Sequence, residues 1–250
     1  MKTNWDYTAL AGAYLKRPDY AETAIDALIA RAEVGPGSRA ADIGAGVAHL
    51  TLMLAKRGLD VCAVEPNYEM RKHGIRRTAH LPAVRWVDVV GEATGLASGA
   101  FDIVTFGSSF NVTDRPKALK ESARLLKPRS WFACMWNHRD LDDPLQAAIE
   151  DVIKARVAGY SYGTRREDQT AMIDASGLFE PVQRIEGTVC HTQTIEDCLE
   201  AWRSHATLQR QAGSAFDAVV EAIASVLAEQ DKDEIEVPYT TRIWAARLRG

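Results

Sequence analysis

Three carboxylates, each ending a short apolar run, carry the chemistry this sequence offers. Asp42 opens Asp42-Ile43-Gly44-Ala45-Gly46, where an apolar run gives way to two glycines. Glycine lets the chain turn sharply and lets a ligand approach with no Cβ in the way. Glu65 follows Val61-Cys62-Ala63-Val64, 23 residues after Asp42, where a carboxylate accepts from both hydroxyls of a ribose. Glu92 comes after the next run, in Gly91-Glu92-Ala93, ten residues before Asp102. There a carboxylate accepts from an exocyclic adenine amine, while the backbone amide of Ala93 donates to a ring nitrogen. Each feature alone has a plain reading as a tight turn or a solvated acid. Together they describe a nucleoside site.

The nucleoside is distinguished by charge. A dinucleotide fingerprint, G-x-G-x-x-G, holds a pyrophosphate on a helix N-terminus. Here the run is Gly44-Ala45-Gly46-Val47-Ala48-His49, without the third glycine, and Asp42 would set a negative charge near the phosphates. S-adenosylmethionine carries a sulfonium and an ammonium but no phosphate, and an acidic pocket suits it. A nicotinamide-dependent oxidoreductase and a catalytically silent cofactor-binding module are the alternatives.

These residues need a frame that brings strand ends together. Residues 39–44, 61–65, 84–89, 101–106 and 131–136 read as strands, alternating with helices at 48–57, 67–75 and 115–127. That rhythm implies an α/β domain, a doubly wound and mostly parallel sheet with helices on both faces. Ligands in such sheets bind beyond the carboxyl ends of the strands. Strands at 181–190 and 239–248 bring the count to seven. Residues 6–15 and 19–31, before the first strand, are helical in pattern, as are 144–158, 167–176, 194–208 and 214–229. The expected organisation is one domain over 1–250. Residues 1–36 supply N-terminal lid helices and 37–137 the cofactor core. Residues 138–250 hold the rest of the sheet, with lid helices inserted near 140–165 and 192–230.

The sequence resembles the class I S-adenosylmethionine-dependent methyltransferases, in the branch that modifies small molecules. The likeness is clearest over residues 37–137. Asp42 to Gly46 is similar to the family's first glycine-rich motif, with Ala48 at a frequent third glycine. Ala63-Val64-Glu65-Pro66 resembles its ribose-binding strand end, and Gly91-Glu92-Ala93 its adenine segment with Glu for Asp. Phe101-Asp102-Ile103-Val104-Thr105 resembles the fourth strand, and Ala123 to Pro128 the helix exit before the fifth. Tyr14-Leu15-Lys16-Arg17-Pro18-Asp19-Tyr20 resembles an N-terminal pattern whose Arg pairs with the cofactor carboxylate, for which a guanidinium fork is suited. The resemblance implies a Rossmann-like fold and S-adenosylmethionine as cofactor. It implies a cofactor site of Arg17, Asp42, Gly44, Ala45, Gly46, Glu65, Pro66, Glu92, Ala93, Phe106 and Ser108.

Methyl transfer is an in-line displacement, so holding the groups in line and excluding water is the enzyme's main task. Trp5, Tyr7, Tyr14, Phe110 and Trp136 are candidates to face a cation with an aromatic ring. His138, after the fifth strand, is the first candidate for a general base, needed when the nucleophile arrives protonated. His49 opens a helix beside the glycine turn; His191 and His205 lie in the elaboration. Where relatives carry a Phe-His pair, this chain has Phe110-Asn111. Tyr7 or Tyr14 would orient a neutral amine. The catalytic candidates are thus Tyr7, Tyr14, Phe110 and His138.

Composition narrows the partners. Thirty basic against 34 acidic residues leave a charge of −4, which argues against a general nucleic-acid binder. An Asp/Asn-Pro-Pro-Tyr/Phe run, expected of amino-directed DNA methyltransferases, is absent after the fourth strand. Cys62, Cys134, Cys190 and Cys198 form no C-x-x-C pair, and no His cluster has metal-ligand spacing. The cysteines read as reduced thiols, and no metal is expected. Residues 1–6 lack a signal-peptide core, and no run reads as membrane-spanning. The expectation is a cytoplasmic protein that takes a small-molecule methyl acceptor and binds neither membrane nor nucleic acid. Its oligomeric state stays open, as does the identity of the acceptor.

Overall fold

The structure, a computed structural model, describes residues 8–203 and 205–250. In chain order its strands are β1 (Arg39–Ile43), β2 (Asp60–Val64), β3 (Val84–Val87), β4 (Phe101–Gly107), β5 (Leu126–Arg139), β6 (Gln183–Thr194) and β7 (Glu234–Arg247). The helices are α1 (Ala11–Tyr14), α2 (Glu22–Ala32), α3 (His49–Lys56), α4 (Tyr68–Thr78), α5 (Arg115–Leu125), α6 (Pro144–Arg156), α7 (Thr170–Asp174), α8 (Ile195–Arg203), α9 (Ala206–Ala212) and α10 (Phe216–Ala228).

The strands form one seven-stranded sheet in the order β3-β2-β1-β4-β5-β7-β6. β1 to β5 are parallel; β7 inserts antiparallel between β5 and β6. The expected seven-stranded α/β sheet is therefore observed. Chain order reverses at β1 and β4, so the cleft opens where the carboxyl ends of these strands part. β1 is almost wholly buried because it is central, and its residues Ala40 and Ala41 are small enough for helices to close on both faces.

Side chains start several helices where the sequence turns polar. Asn67 accepts from the Met70 amide at 3.1 Å, and Asp143 from the Gln146 amide at 3.0 Å, each satisfying an otherwise orphaned donor. One face of the sheet buries Phe101, Phe106, Phe110, Phe132, Trp136 and Trp244 under α5 and α7. The other buries Ile25, Leu28, Leu50 and Leu54 from α2 and α3.

Three differences from expectation matter for the site. β5, β6 and β7 run well past the expected ends, to 14, 12 and 14 residues. Their extensions stay paired, β5 with β7 as far as Arg139 and Tyr239 and β6 with β7 as far as Thr194 and Glu234, and β7 carries the sheet into a separate apolar cluster. Ile235, Val237 and Tyr239 pack there against Ile149 and Ile153 of α6, Trp202 of α8, and Ile223 and Leu227 of α10. The lid is thus seated on strands rather than on flexible loops. The expected helix at 194–208 is instead two, α8 and α9, the second capped by His205, whose Nδ1 accepts from the Leu208 amide at 3.1 Å. Finally, Thr207–Ala228 makes a helical run of 22 residues that by length and composition alone is apolar enough to cross a membrane, contrary to expectation. Its Val219, Ile223 and Leu227 are instead buried in the lid cluster.

Ala48, at the frequent third-glycine position, has φ +76° and ψ 28° and is fully buried at the start of α3. The left-handed region costs an L-residue about 1–2 kcal/mol, partly offset in a glycine by its larger entropy in the unfolded chain. Ala48→Gly should therefore stabilise the protein by about 0.5–1 kcal/mol, seen as a higher urea midpoint. A lower midpoint would contradict the strain.

Candidate functional site

The Gly44–Gly46 turn forms the floor of a cleft of about 240 Å³. Gly44 has φ +68°, and a Cβ there would come within 2.5 Å of Ser109 Cβ. Gly46 has φ +55°. The Ser109 hydroxyl donates to the Ile43 carbonyl, so the loop after β4 is fastened to the turn after β1. Only glycine meets the demands of backbone angle and close approach together at Gly44.

Glu65 fixes the turn from the side. Its carboxylate is 7% exposed and accepts from the Gly46 amide at 2.9 Å and the Asn67 amide at 2.8 Å. Burial pushes its pKa up, and the two amides oppose that shift. One oxygen serves each amide, leaving lone pairs on both for a ligand's hydroxyls.

Asp42 lies at the cleft floor but is fully buried. Its carboxylate accepts from the Thr51 hydroxyl at 2.6 Å and the Thr105 hydroxyl at 3.1 Å. Burial raises its pKa to about 6, against the two hydroxyls that favour the charged form. Beyond β3 the cleft wall is Val90, Gly91 and Glu92. Glu92 also accepts from the Asp114 amide at 2.9 Å, which ties this wall to the start of α5. Pro66 and Ala45 line the same half of the cleft.

An N-terminal strap crosses the opposite rim. Tyr20 is buried and its hydroxyl meets Ser108 Oγ at 2.9 Å. The Asn137 amide donates to the Asp19 carbonyl at 2.9 Å, and the Ala21 amide donates to Thr241 Oγ1 at 2.7 Å. So β5 and β7 hold the segment that contains Arg17. The Arg17 guanidinium stacks on Tyr14, 3.6 Å from the ring centre, and both residues face the cleft.

The structure corrects five expectations. Ala93 is exposed and does not line the cleft; Val90 on the other side of Gly91 takes the place. Phe106 of β4 and Phe110 in the turn after it are fully buried, with ring centres 5.3 Å apart and both against Phe132, because both belong to the core packed under α5 and α7. Neither faces the cleft, and Trp136 packs on Trp244 instead. His138 does face it, yet both ring nitrogens are engaged. Nε2 lies 3.1 Å from the Arg165 carbonyl, and Nδ1 is 3.4 Å from an Arg242 nitrogen. An arginine can only donate, so Nδ1 accepts and Nε2 carries the proton. Burial, with Arg166 and Arg242 nearby, lowers its pKa to about 4. His138 is neutral above pH 5 and has no free lone pair for a substrate proton. Tyr7 and Trp5 lie outside the described residues.

His49, placed beside the glycine turn by the sequence, ties the strap to α3, Nδ1 meeting Asp19 Oδ1 at 2.6 Å and Nε2 the Tyr14 carbonyl at 2.8 Å. Several other cleft residues escaped the sequence reading. Arg139, Tyr162, Gln193, Trp202 and Tyr239 line the lid half. They come from the extended strand ends and from lid segments distant in sequence, so no local spacing signals them. Among the described residues no group of His, Cys, Asp and Glu is arranged to hold a metal.

The glycine turn, the Glu65 lone pairs and the acidic floor fit a nucleoside that carries positive charge. Comparisons with known proteins agree. Residues 41–134 match the Methyltransferase domain family. An uncharacterized methyltransferase of Mycobacterium bovis is 36% identical over 135 residues, 54% of this chain and 53% of that protein. A Caulobacter vibrioides protein named as a ubiquinone/menaquinone biosynthesis C-methyltransferase is 32% identical over 140 residues, 50% of this chain and 54% of its own. These matches span about half the length of each curated relative. The Haemonchus contortus phosphoethanolamine N-methyltransferase 2, solved with phosphomonomethylethanolamine and S-adenosylhomocysteine, shares the fold with a TM-score of 0.56 and 17% identity. That likeness covers 96% of this chain and 57% of the other.

Asp42 supplies a test by pH. Its folded pKa, about 6, lies above the ordinary 3.8. Its contribution is therefore most favourable below pH 3.8 and is lost as pH rises through 6. Above pH 6 the ionised carboxylate costs up to about 3 kcal/mol. Asp42→Asn should flatten urea stability between pH 4 and 6 and raise it at pH 7, while weakening binding of S-adenosylhomocysteine. A variant less stable than the parent at pH 7 would contradict the shift.

Proposed function

We propose that the chain, whose residues 41–134 match the Methyltransferase domain family, is a class I S-adenosylmethionine-dependent methyltransferase that methylates an N or O nucleophile of a small molecule held between the glycine turn and the lid. One observation carries this: the cleft has acids at its sheet end and guanidinium groups at its lid end. Glu65 would hold the ribose, Val90 to Glu92 the adenine edge, and Arg17 the carboxylate of S-adenosylmethionine. When bound, that cofactor supplies a methyl carbon whose bond to sulfur breaks, the pair leaving with sulfur, as the acceptor's lone pair bonds to carbon.

The chain's own contribution is placement and exclusion of water. Strand-borne lid residues hold their positions without loop ordering, which keeps the acceptor in line at small entropic cost. His49 and His138 have both nitrogens engaged, and the Nδ1 of His205 caps α9. No general base with a free lone pair among these three favours a nucleophile that arrives already deprotonated, such as a neutral amine. The acidic floor disfavours a pyrophosphate and hence a nicotinamide dinucleotide.

Isothermal titration separates the alternatives. S-adenosylhomocysteine should bind at micromolar concentration or tighter, and NADH at least about a hundredfold more weakly. Glu65→Ala should cost about 2 kcal/mol or more in S-adenosylhomocysteine affinity, about 30-fold, with far-UV circular dichroism unchanged. Tight NADH binding, or full affinity in Glu65→Ala, would refute the assignment. Incubation with methyl-labelled S-adenosylmethionine and a metabolite extract then tests turnover, and fragmentation of the product locates the methyl on N, O or C.

A further inference from the structure

The lid half of the cleft carries donors without acceptors. Trp202 is 2% exposed and lines the cleft, yet its Nε1–H meets no acceptor among the described residues. Gln193 is 8% exposed, also lines the cleft, and its Nε2 amide is likewise unpartnered among them. A buried donor left unpaired costs roughly 1–3 kcal/mol, so two lining one cleft mark a place where a ligand supplies the acceptors.

A guanidinium stands beside Trp202. Arg139, at the end of β5, stacks on the Trp202 ring with its carbon 4.1 Å from the ring centre. Its hydrogen bonds go to neutral oxygens, Tyr239 OH at 3.2 Å and Gln146 Oε1 at 3.4 Å. Arg166 stacks on Tyr162 at 4.1 Å and donates to the Arg139 carbonyl at 2.7 Å. Neither arginine forms an ion pair with a carboxylate among the described residues. The acids on neighbouring elements are committed elsewhere. Glu150 of α6 takes the Tyr162 hydroxyl and Lys154, and Asp197 and Glu200 of α8 take Lys16. His205, also on the cleft, is held neutral first by burial, then by Arg165, Arg17 and Arg139. The guanidinium groups thus add to burial in disfavouring its charged form.

We propose that this wall is an oxyanion subsite and that the methyl acceptor carries a carboxylate or a phosphate monoester, seated on Arg139, Trp202 Nε1 and Gln193 Nε2. This rests on the methyl-transfer function proposed above and names its substrate class. Arg17, across the cleft on the strap, remains for the cofactor carboxylate. An anion held at the lid and a cation held at the turn also oppose each other's charge across the reaction space, which orients the acceptor before any contact is made at its nucleophile.

The test uses the full chain saturated with S-adenosylhomocysteine, with benzoate and phenyl phosphate as anionic probes and benzyl alcohol as the neutral one, read by ligand-observed NMR or calorimetry. At least one anion should bind about tenfold or more tighter than benzyl alcohol, and which one wins separates carboxylate from phosphate. Arg139→Gln should abolish that preference while S-adenosylhomocysteine affinity stays within about twofold. Trp202→Phe keeps the ring and removes only the Nε1 donor, so it serves if Arg139→Gln does not fold. It should weaken the anion several-fold and leave benzyl alcohol unchanged. Anions no tighter than benzyl alcohol, binding of none of the probes, or an undiminished preference in Trp202→Phe would overturn the subsite while normal S-adenosylhomocysteine binding left methyl transfer standing. Loss of S-adenosylhomocysteine binding by the parent protein would instead overturn methyl transfer itself.

Discussion

A single buried carboxylate joins the two loops on which the cleft depends. Glu65 accepts one backbone amide from the turn after β1 and another from the start of α4. Neither loop has regular backbone pairing of its own at those positions, so the carboxylate substitutes for it. Burying an ionised group is costly unless it is hydrogen-bonded, and here the bonds that compensate it are the same bonds that shape the site. Asp42 follows the same logic one strand over, with two threonine hydroxyls in place of amides. Both acids are therefore structural before any ligand arrives, and their remaining lone pairs and charge are what a ligand meets.

The second constraint is the length of the antiparallel strands. β5, β6 and β7 stay paired through their extensions and carry the lid, so Asn137, His138 and Arg139 are at once paired to β7 and on the cleft. Asn137 is bonded to the N-terminal strap and to Thr241, while Arg139 stacks on the lid's Trp202. One strand end thus couples the strap, the sheet and the lid. Such a scaffold positions cleft side chains with a precision that loops would not provide. The same fold supports many reactions, and the variable part here is the surface that this strand end presents.

The cofactor half was legible in the sequence because its demands are local. Gly44 and Gly46 are needed for backbone angles, and Glu65 and Glu92 end runs whose apolar character announces strands. Even the departure from pattern at Ala48 was visible, and the structure gives it meaning as a left-handed residue. The aromatic candidates failed for a reason that sequence cannot settle. Phe106 and Phe110 stand at the strand end, but side-chain direction at a sharp turn depends on tertiary packing. His138 is placed where it was expected, yet its partners Arg165 and Arg242 come from segments 27 and 104 residues away. The acceptor wall was illegible for the same cause. Arg139, Gln193 and Trp202 are brought together only by strand extensions that continue the alternation without any sequence mark of where the sheet ends.

The most direct measurement is a crystal structure of the protein grown with S-adenosylhomocysteine. Both ribose hydroxyls should lie within about 3 Å of the Glu65 carboxylate oxygens, with the adenine against Val90 to Glu92 and the sulfur facing the lid. An adenosyl group bound elsewhere, or a Glu65 carboxylate that keeps its two amides and touches no ligand, would contradict the central claim.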